Sequence, residues 1–392
     1  MNTPFFLIRK DLLTENVRCF RKGMSDCWHN SRLAYSVKTN SLPWVLRYMK
    51  SQGLLAEVVS DEEYELALKC GFADSEIIFN GPIKTEPWFL RALRMDAWVN
   101  IDSERELQWL EQSPMSRAKV GIRVNVPTEL FLKDDIGYQE DGFRFGFDVE
   151  SGAFEHALHV ICSAIDNPEL GLHLHCNSMT RNPEVYKTIA AYAVSLMDRF
   201  SLRISFLDIG GGFFGGVPGK TKPAEYFSVI VEQLRQANTR SDYQLIAEPG
   251  SALIGSTVEL HTSVLDIKDI EKSRIVTTDG SRICIDPLWS KKGYTYRTQP
   301  IRTEKTERRQ VICGYTCMDH DRLMVIENGP ALHVGDQIIY ERVGAYSMTF
   351  GGPFIRNYPD VFVLDENGME KIRDRFSVDT YYKLHTCFLD GE

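Results

Sequence analysis

The chain has 392 residues, a formal net charge of -9, 43% hydrophobic and 25% charged residues, and nine cysteines. That length suggests two domains, or one large barrel with an appendage, and the composition excludes a disordered chain. The acidic balance speaks against nucleic acid as a partner, because a phosphate backbone calls for a basic face. The densest basic stretch, Lys305 to Arg309, is interrupted by Thr306 and Glu307 and is expected to be a solvated surface loop. No stretch approaches the roughly 20 apolar residues that span a bilayer, so no membrane partner is expected. Met1 to Lys10 lacks a basic segment followed by the apolar core of a signal peptide. The cysteines are scattered, odd in number and without a CxxC pair, which suits reduced thiols. The expectation is a soluble, cytoplasmic globular protein.

In chain order, apolar strands alternate with amphipathic helices through the first half. Strands are predicted at 33–39, 54–60, 76–81, 97–102, 119–125, 170–176, 204–210 and 243–248, with helical patterns such as 61–70 and 183–199 between them. Short runs apolar on both faces belong to a parallel sheet covered on both sides. Eight such units in about 220 residues fit a closed (β/α)8 barrel, whose usual size is roughly 250 residues; a doubly wound sheet is the alternative. From about Thr257 period-two segments take over, at 258–267, 274–285, 311–316, 323–326 and 336–343. They are punctuated by Asp279-Gly280, Asn328-Gly329-Pro330 and Asn367-Gly368, and predict an antiparallel β domain. The short apolar piece 4–8 is placed as a strand joining it.

The unusual residues fall at the ends of the barrel strands, where barrels carry their chemistry. The first strand ends in Tyr35-Ser-Val-Lys38-Thr-Asn40 and the sixth in His173-Leu-His175-Cys176-Asn177-Ser178. The seventh ends in Asp208-Ile-Gly210-Gly211-Gly212 and the eighth in Glu248-Pro249-Gly250-Ser251. Glycines after strands 7 and 8 let backbone N–H groups approach a phosphate closely, or simply make a turn. Lys38 is either a lysine extending from a strand end or a Schiff-base amine. Glu248 is either a salt-bridge partner or the carboxylate that keeps a pyridine nitrogen protonated. His173 and His175 share one face of their strand and, with Asp208 and Glu248, offer metal-type donors. A ring-stacking imidazole beside Lys38 and a phosphate cradle accounts for more of these residues together, and no metal is expected.

With those strand ends in view, the chain resembles the fold type III, pyridoxal-phosphate-dependent decarboxylases of basic amino acids, which include diaminopimelate and ornithine decarboxylases. Tyr35-Ser-Val-Lys-Thr-Asn40 resembles YxVKAN, His173-Leu-His-Cys-Asn-Ser178 resembles HxHIGS, and Leu207-Asp-Ile-Gly-Gly-Gly-Phe213 resembles LDIGGGF. Glu248-Pro-Gly250 begins EPGR, Gly314-Tyr-Thr-Cys-Met-Asp-His-Asp321 resembles GPxCxSxD, and Gly344-Ala-Tyr346 resembles GAY. Arg144-Phe-Gly146 is similar to KFG, and Val59-Ser60 with Glu63 to the second-strand SGGE. The likeness runs over nearly the whole chain in family order. It implies an alanine racemase-like α/β architecture: a (β/α)8 TIM barrel at 25–255, and an antiparallel β-sandwich or barrel domain formed by 1–24 and 256–392. It also implies pyridoxal 5'-phosphate as cofactor, an amino acid as substrate and a homodimer with shared active sites.

The resemblance assigns roles residue by residue. Lys38 is similar to the Schiff-base lysine, and His175 to the residue stacking on the cofactor ring. Ser178, Gly210, Gly211, Gly212, Gly250 and Tyr346 resemble the phosphate-binding set, and Glu248 the pyridinium partner. Ser251, standing where EPGR has its arginine, is counted with the cofactor-binding residues. Cys317 resembles the acid that returns a proton to Cα after carbon dioxide leaves, reaching the site from a second subunit. Met318 replaces the acidic residue that holds the substrate's distal amine, and Asp319 stands next to it. Asn177 replaces the glycine of HIGS, and Glu57 stands where an aspartate is frequent. Asp286-Pro-Leu-Trp289 replaces an RPxLY-like segment whose arginine, in diaminopimelate enzymes, grips a distal carboxylate.

The cofactor-binding residues are thus mostly kept and the substrate-binding residues altered. The expected substrate is neither free ornithine nor plain diaminopimelate but a diamino acid or a modified, conjugated amino acid, as in siderophore or antibiotic biosynthesis. The segment 79–84, Phe-Asn-Gly-Pro-Ile-Lys, resembles the GPxKT type of such relatives. The alternatives are a racemase of the same fold class, which would use Lys38 with a second base, and a homologue that has lost catalysis.

Overall fold

The computed structural model of the chain describes residues 2–137, 140–236, 242–291, 293–299 and 306–386. They form two compact units, Asn16–Leu253 and Met1–Glu15 with Ile254–Glu392. Chain order runs from β1 (Phe5–Arg9) through the strands of a barrel: β2 (Ser31–Ser36), β3 (Leu55–Val58), β4 (Ile77–Phe79) and β5 (Trp98–Ile101). The barrel continues with β6 (Met115–Val124), β7 (Ile165–Leu174), β8 (Phe206–Asp208) and β9 (Gln244–Ala247). These eight strands pair in parallel, each with the next, and β9 closes on β2. The eight predicted strands are therefore all present, and the barrel, not the doubly wound sheet, is the fold.

Local chemistry sets the helices between them. The hydroxyl of Ser60 accepts from the N–H of Glu63 at 3.2 Å, while the Glu63 carboxylate accepts from Val59 N at 2.9 Å. This reciprocal cap starts the helix Asp61–Lys69 directly after β3. Asn182 caps the helix Pro183–Arg199, with proline at its first position. Inside the barrel, Phe206 packs with Ala34, Leu55, Ile78 and Ile246, and meets Trp98 edge-on at 4.9 Å. Gly171 on β7 makes room for it, since a Cβ there would lie 2.3 Å from the Phe206 ring. A filled interior leaves chemistry to the strand ends.

The other unit holds β10 (Val258–Ile270), β11 (Ser273–Thr278), β12 (Thr295–Gln299), β13 (Thr306–Cys313), β14 (Arg322–Pro330), β15 (Gln337–Glu341), β16 (Asp360–Asp365) and β17 (Gly368–Arg373). With β1 they form one sheet in the order β14-β13-β11-β10-β1-β16-β17, where β15 pairs with β10 and β12. The sheet is mixed rather than antiparallel throughout, because β1–β16 and β11–β13 run parallel. Both pairs join strands separated by long connections, which frees them from hairpin geometry.

Three expectations for this half are corrected. The segment 274–285 is a strand only to Thr278; Ser281 then caps a helical turn, Arg282–Ile285. Asn328-Gly329-Pro330 is no turn but the end of β14, where Gly329 pairs with Glu307. The basic run is the start of β13 and no loop, apart from Lys305, which lies outside the described residues. Its charges are matched across the sheet, Arg309 with Glu327 and Glu307 with Arg274, so the run is compatible with a ladder. No disulfide links the described cysteines. No helix among the described residues is long and apolar enough to cross a membrane.

Candidate active site

β2 ends at Ser36 and passes into a single 3-10 turn, Val37–Thr39, which carries Lys38 beyond the strand. The Lys38 ammonium lies 2.9 Å from Oε2 and 3.1 Å from Oε1 of Glu57. Glu57 is 1% exposed and Lys38 is open, with 44% of its side chain accessible. Burial pushes the Glu57 carboxyl up. The Lys38 charge and hydrogen bonds from Ser36, Lys38 and Asn80 outweigh it, so the group is held below its usual range. Lys38 thus has a fixed, ionised partner and an accessible nitrogen.

Asn80, just past β4, connects this pair to a second carboxylate. Its amide donates to Glu57 Oε1 at 3.2 Å and to Glu248 Oε1 at 2.7 Å, and its own oxygen accepts from Asn100 at 2.8 Å. Glu248 is buried beside Asp208, which accepts from Gly210 N at 2.9 Å and from Asn100 at 3.3 Å. Burial raises both acids: Asp208 to about 6, and Glu248 well above its usual value with Asp208 and Glu57 adding repulsion. Two buried carboxyls this close cannot both ionise unless a cation joins them. His173 brings its Nε2 to 3.8 Å from Glu248 Oε2, yet neither ring nitrogen has a hydrogen-bond partner among the described residues. Burial, then the Arg123 and His175 charges, keep it neutral.

The glycines stand where side chains have no room. A Cβ on Gly210 would lie 2.5 Å from Nδ1 of His175, one on Gly211 2.5 Å from the Glu248 carbonyl, and one on Gly250 1.8 Å from the Thr39 hydroxyl. Gly210 and Gly212 also take φ of +64° and +88°, which favour glycine. Among the described residues the N–H groups of Gly211, Gly212 and Gly250 have no hydrogen-bond partner. The His175 ring lies against Gly210, held well below its usual pKa by burial and by the Arg123 and Lys38 charges. Ser178 donates to the Asp135 carbonyl at 3.2 Å and accepts from Arg181 N at 2.8 Å. The Ser251 hydroxyl accepts from Arg181 Nη1 at 3.4 Å.

Within the barrel unit the structure therefore brings together Lys38, His175, Gly210 to Gly212, Glu248, Gly250, Ser178 and Ser251, the last two through Arg181. The remaining expected site residues belong to the β unit. Cys317, Met318 and Asp319 lie on the loop between β13 and β14, organised by buried Asp321. That carboxylate accepts from Ser281 at 2.9 Å, Thr316 at 2.7 Å and Arg282 N at 3.0 Å. The loop leaves Cys317 and Asp319 exposed and Met318 half-buried. Tyr346 has φ +53° and is 40% exposed, with Phe350 edge-on to its ring at 6.4 Å.

Sequence reasoning missed Asn80, Asn100, Arg123 and Arg181. The first three had a signal: each is a polar residue in or just after an apolar run, Ile-Ile-Phe-Asn80, Trp-Val-Asn100-Ile and Gly-Ile-Arg123-Val. Arg181 had none, because it follows the recognisable segment on an irregular loop.

Residues 12–255 match the family model described as pyridoxal-dependent decarboxylase, pyridoxal binding domain. The chain belongs to that family. It is 27% identical over 364 residues to the diaminopimelate decarboxylase of Archaeoglobus fulgidus, covering 90% of this chain and 85% of that one. It is 26% identical over 403 residues to the Helicobacter pylori enzyme of that name, covering 99% and 97%. Among solved structures, the M. jannaschii diaminopimelate decarboxylase superposes with a TM-score of 0.85 at 20% identity, covering 99% of this chain and 93% of that one. The Helicobacter pylori diaminopimelate decarboxylase complexed with L-lysine gives 0.82 at 22% identity, covering 98% and 97%. The family favours a decarboxylase over the racemase alternative, and its cofactor is pyridoxal 5'-phosphate.

The residues present fit that cofactor. Unpartnered N–H groups lie where glycines permit close approach, as a phosphate requires. Asp208 and Glu248 form a buried acid pair that a protonated ring nitrogen would relieve. His173, Asp208 and Glu248 also place metal-type donor atoms within 4.8 Å of one another. The amides of Asn80, Asn100 and Gly210 already fill part of the carboxylates' capacity, and the pyridinium reading uses the same cluster.

Proposed function

We propose that this pyridoxal-phosphate-dependent decarboxylase acts on a diamino acid or a conjugated amino acid whose far end carries no free carboxylate. The observation that carries it is the environment of Asp286, at the position of the family's carboxylate-gripping arginine. Asp286 is buried; it accepts from Ser290 N at 3.0 Å, Lys291 N at 3.1 Å and Tyr294 at 3.2 Å, and pairs with Arg282. Its loop is built around an acid with its own cation. Arg282 is spent on Asp286 and the Lys291 carbonyl at 3.1 Å. Neither residue offers a charge for a substrate carboxylate. Asp319, in contrast, is exposed with no ion pair among the described residues, and suits a distal amine.

The cofactor supplies an electron sink for the pair left at Cα when carbon dioxide departs. In this reading Lys38 would hold it covalently and yield it to the substrate amine, regaining its own free amine, with Glu57 keeping the Lys38 nitrogen in place. Glu248, backed by Asn80 and Asp208, would hold a proton on the ring nitrogen. His175 would cover one ring face. Ser178, the four glycines, Ser251 and Tyr346 would hold the phosphate. Cys317 would give a proton back to Cα, and its exposure supports delivery to the site of a second copy in a homodimer.

The test is carbon dioxide release by the loaded enzyme from meso-diaminopimelate, lysine, ornithine and their amide or acyl conjugates. Turnover of a substrate lacking the free distal carboxylate, at least roughly 100-fold above meso-diaminopimelate, is expected. Preference for meso-diaminopimelate would overturn the proposal.

A further inference from the structure

Arg181 stands on the loop after β7, three residues beyond Ser178, with φ +54°. A non-glycine residue in the left-handed region is strained and persists where its surroundings require it. Here the backbone is fixed from both sides. Its N–H donates to Ser178 Oγ at 2.8 Å, and its carbonyl accepts from the buried Tyr226 hydroxyl at 2.7 Å. The side chain then lies over the Phe214 ring at 5.0 Å, and Nη1 reaches the Phe213 carbonyl and the Ser251 hydroxyl, each at 3.4 Å. Phe213 directly follows Gly212, and Ser251 directly follows Gly250. The guanidinium therefore contacts the residue next to each glycine segment whose N–H groups lack partners.

No carboxylate lies within ion-pair distance of Arg181 among the described residues, and both contacts of Nη1 are long. Three N–H donors of the fork, one on Nε and two on Nη2, remain for a ligand. A planar cation with spare donors, beside backbone N–H groups in a glycine cradle, is matched to a phosphate dianion. The short side chain at 251, where the family carries an arginine, sets no second guanidinium beside Arg181; the nearby cation is Lys220, whose ammonium lies 5.2 Å from the same Phe214 ring.

We propose that Arg181 is a phosphate-binding residue of this enzyme, contributing from the loop after β7 the positive charge of the cradle. This rests on the assignment of Gly210 to Gly212 and Gly250 to the cofactor phosphate. The test compares binding of pyridoxal 5'-phosphate and of pyridoxal, which lacks the phosphate, by equilibrium dialysis of the apoenzyme. Wild type is compared with Arg181→Gln, Arg181→Lys and Arg181→Asn, the last a residue that tolerates positive φ. Thermal melts identify folded variants. The expected result is at least tenfold weaker pyridoxal phosphate binding in the Gln and Asn variants, unchanged pyridoxal binding, and partial recovery with Lys. An unchanged preference for the phosphorylated form in folded Gln and Asn variants would overturn the proposal. So would an unchanged cofactor affinity with a tenfold rise in substrate KM, which would place Arg181 on a substrate carboxylate. A wild type that binds both forms equally would take down the cradle assignment itself.

Discussion

Lys38 and Glu57 form an ion pair of 2.9 Å in which the carboxylate is buried and the amine is open. The amine is thereby positioned without being enclosed. Removing the anion disfavours the protonated amine, so Glu57→Gln should attach cofactor at lower pH than wild type. With 44% of the Lys38 side chain open to solvent, the shift should be about one pH unit or less. A pH titration of cofactor attachment in the two proteins checks this. In the apoprotein, the Glu57 carboxyl is depressed when folded. Its stabilisation is therefore present above the unfolded value of about 4.3 and lost as pH falls through the folded one.

The acid pair Asp208–Glu248 has the opposite sign. Folded pKa values raised above the unfolded ones mean that stability falls as pH rises, beginning near pH 4 and passing through about 6 for Asp208. Glu248→Gln removes one of the two acids, so its apoprotein should lose less melting temperature than wild type between pH 4 and 8. The same substitution should cut turnover of the loaded enzyme by roughly 100-fold or more, since an amide cannot hold the ring nitrogen's proton. Melting curves across pH and a single turnover assay separate the two effects.

Gly210→Ala combines a φ of +64° with a Cβ 2.5 Å from the His175 ring. The backbone contributes about 1 kcal/mol and the overpacking about 1–3 kcal/mol of expected destabilisation. Denaturant unfolding of the apoprotein measures the sum. Gly219→Ala, also at positive φ but with nothing near its Cβ, should lose only the backbone part.

Cys317→Ala should leave cofactor binding intact and slow turnover by about 100- to 10,000-fold, the usual contribution of a positioned acid. Cofactor absorbance and product formation, measured on one preparation, check this. Loss of cofactor in that variant would count against the role.

Much of the fold was legible because barrel strands and their helices obey local rules. The Ser60–Glu63 cap and Pro183 after Asn182 both mark their helices in the sequence. The β unit was harder. Parallel pairing of β1 with β16 joins ends of the chain 355 residues apart in number, Phe5 with Asp360, which no local pattern carries. Asn328-Gly329 looked like a turn, yet pairing with Thr306 and Glu307 extends β14 through it. At the site, Lys38, Glu248 and the glycines stood out by residue type and place. Asn80 and Asn100 stood in plain view, but the hydrogen bonds that make them matter depend on barrel closure. Arg181 depends on two loops meeting at Ser251, a relation visible only in three dimensions.

The central claim is that Lys38 holds pyridoxal phosphate at the mouth of this barrel. Borohydride reduction of the loaded enzyme, followed by proteolysis and mass spectrometry, tests it most directly. The account predicts a phosphopyridoxyl adduct on the peptide containing Lys38, and none on that peptide in Lys38→Ala. An adduct carried instead by another lysine, such as the buried Lys84, with Lys38 unlabelled in wild type, would contradict it.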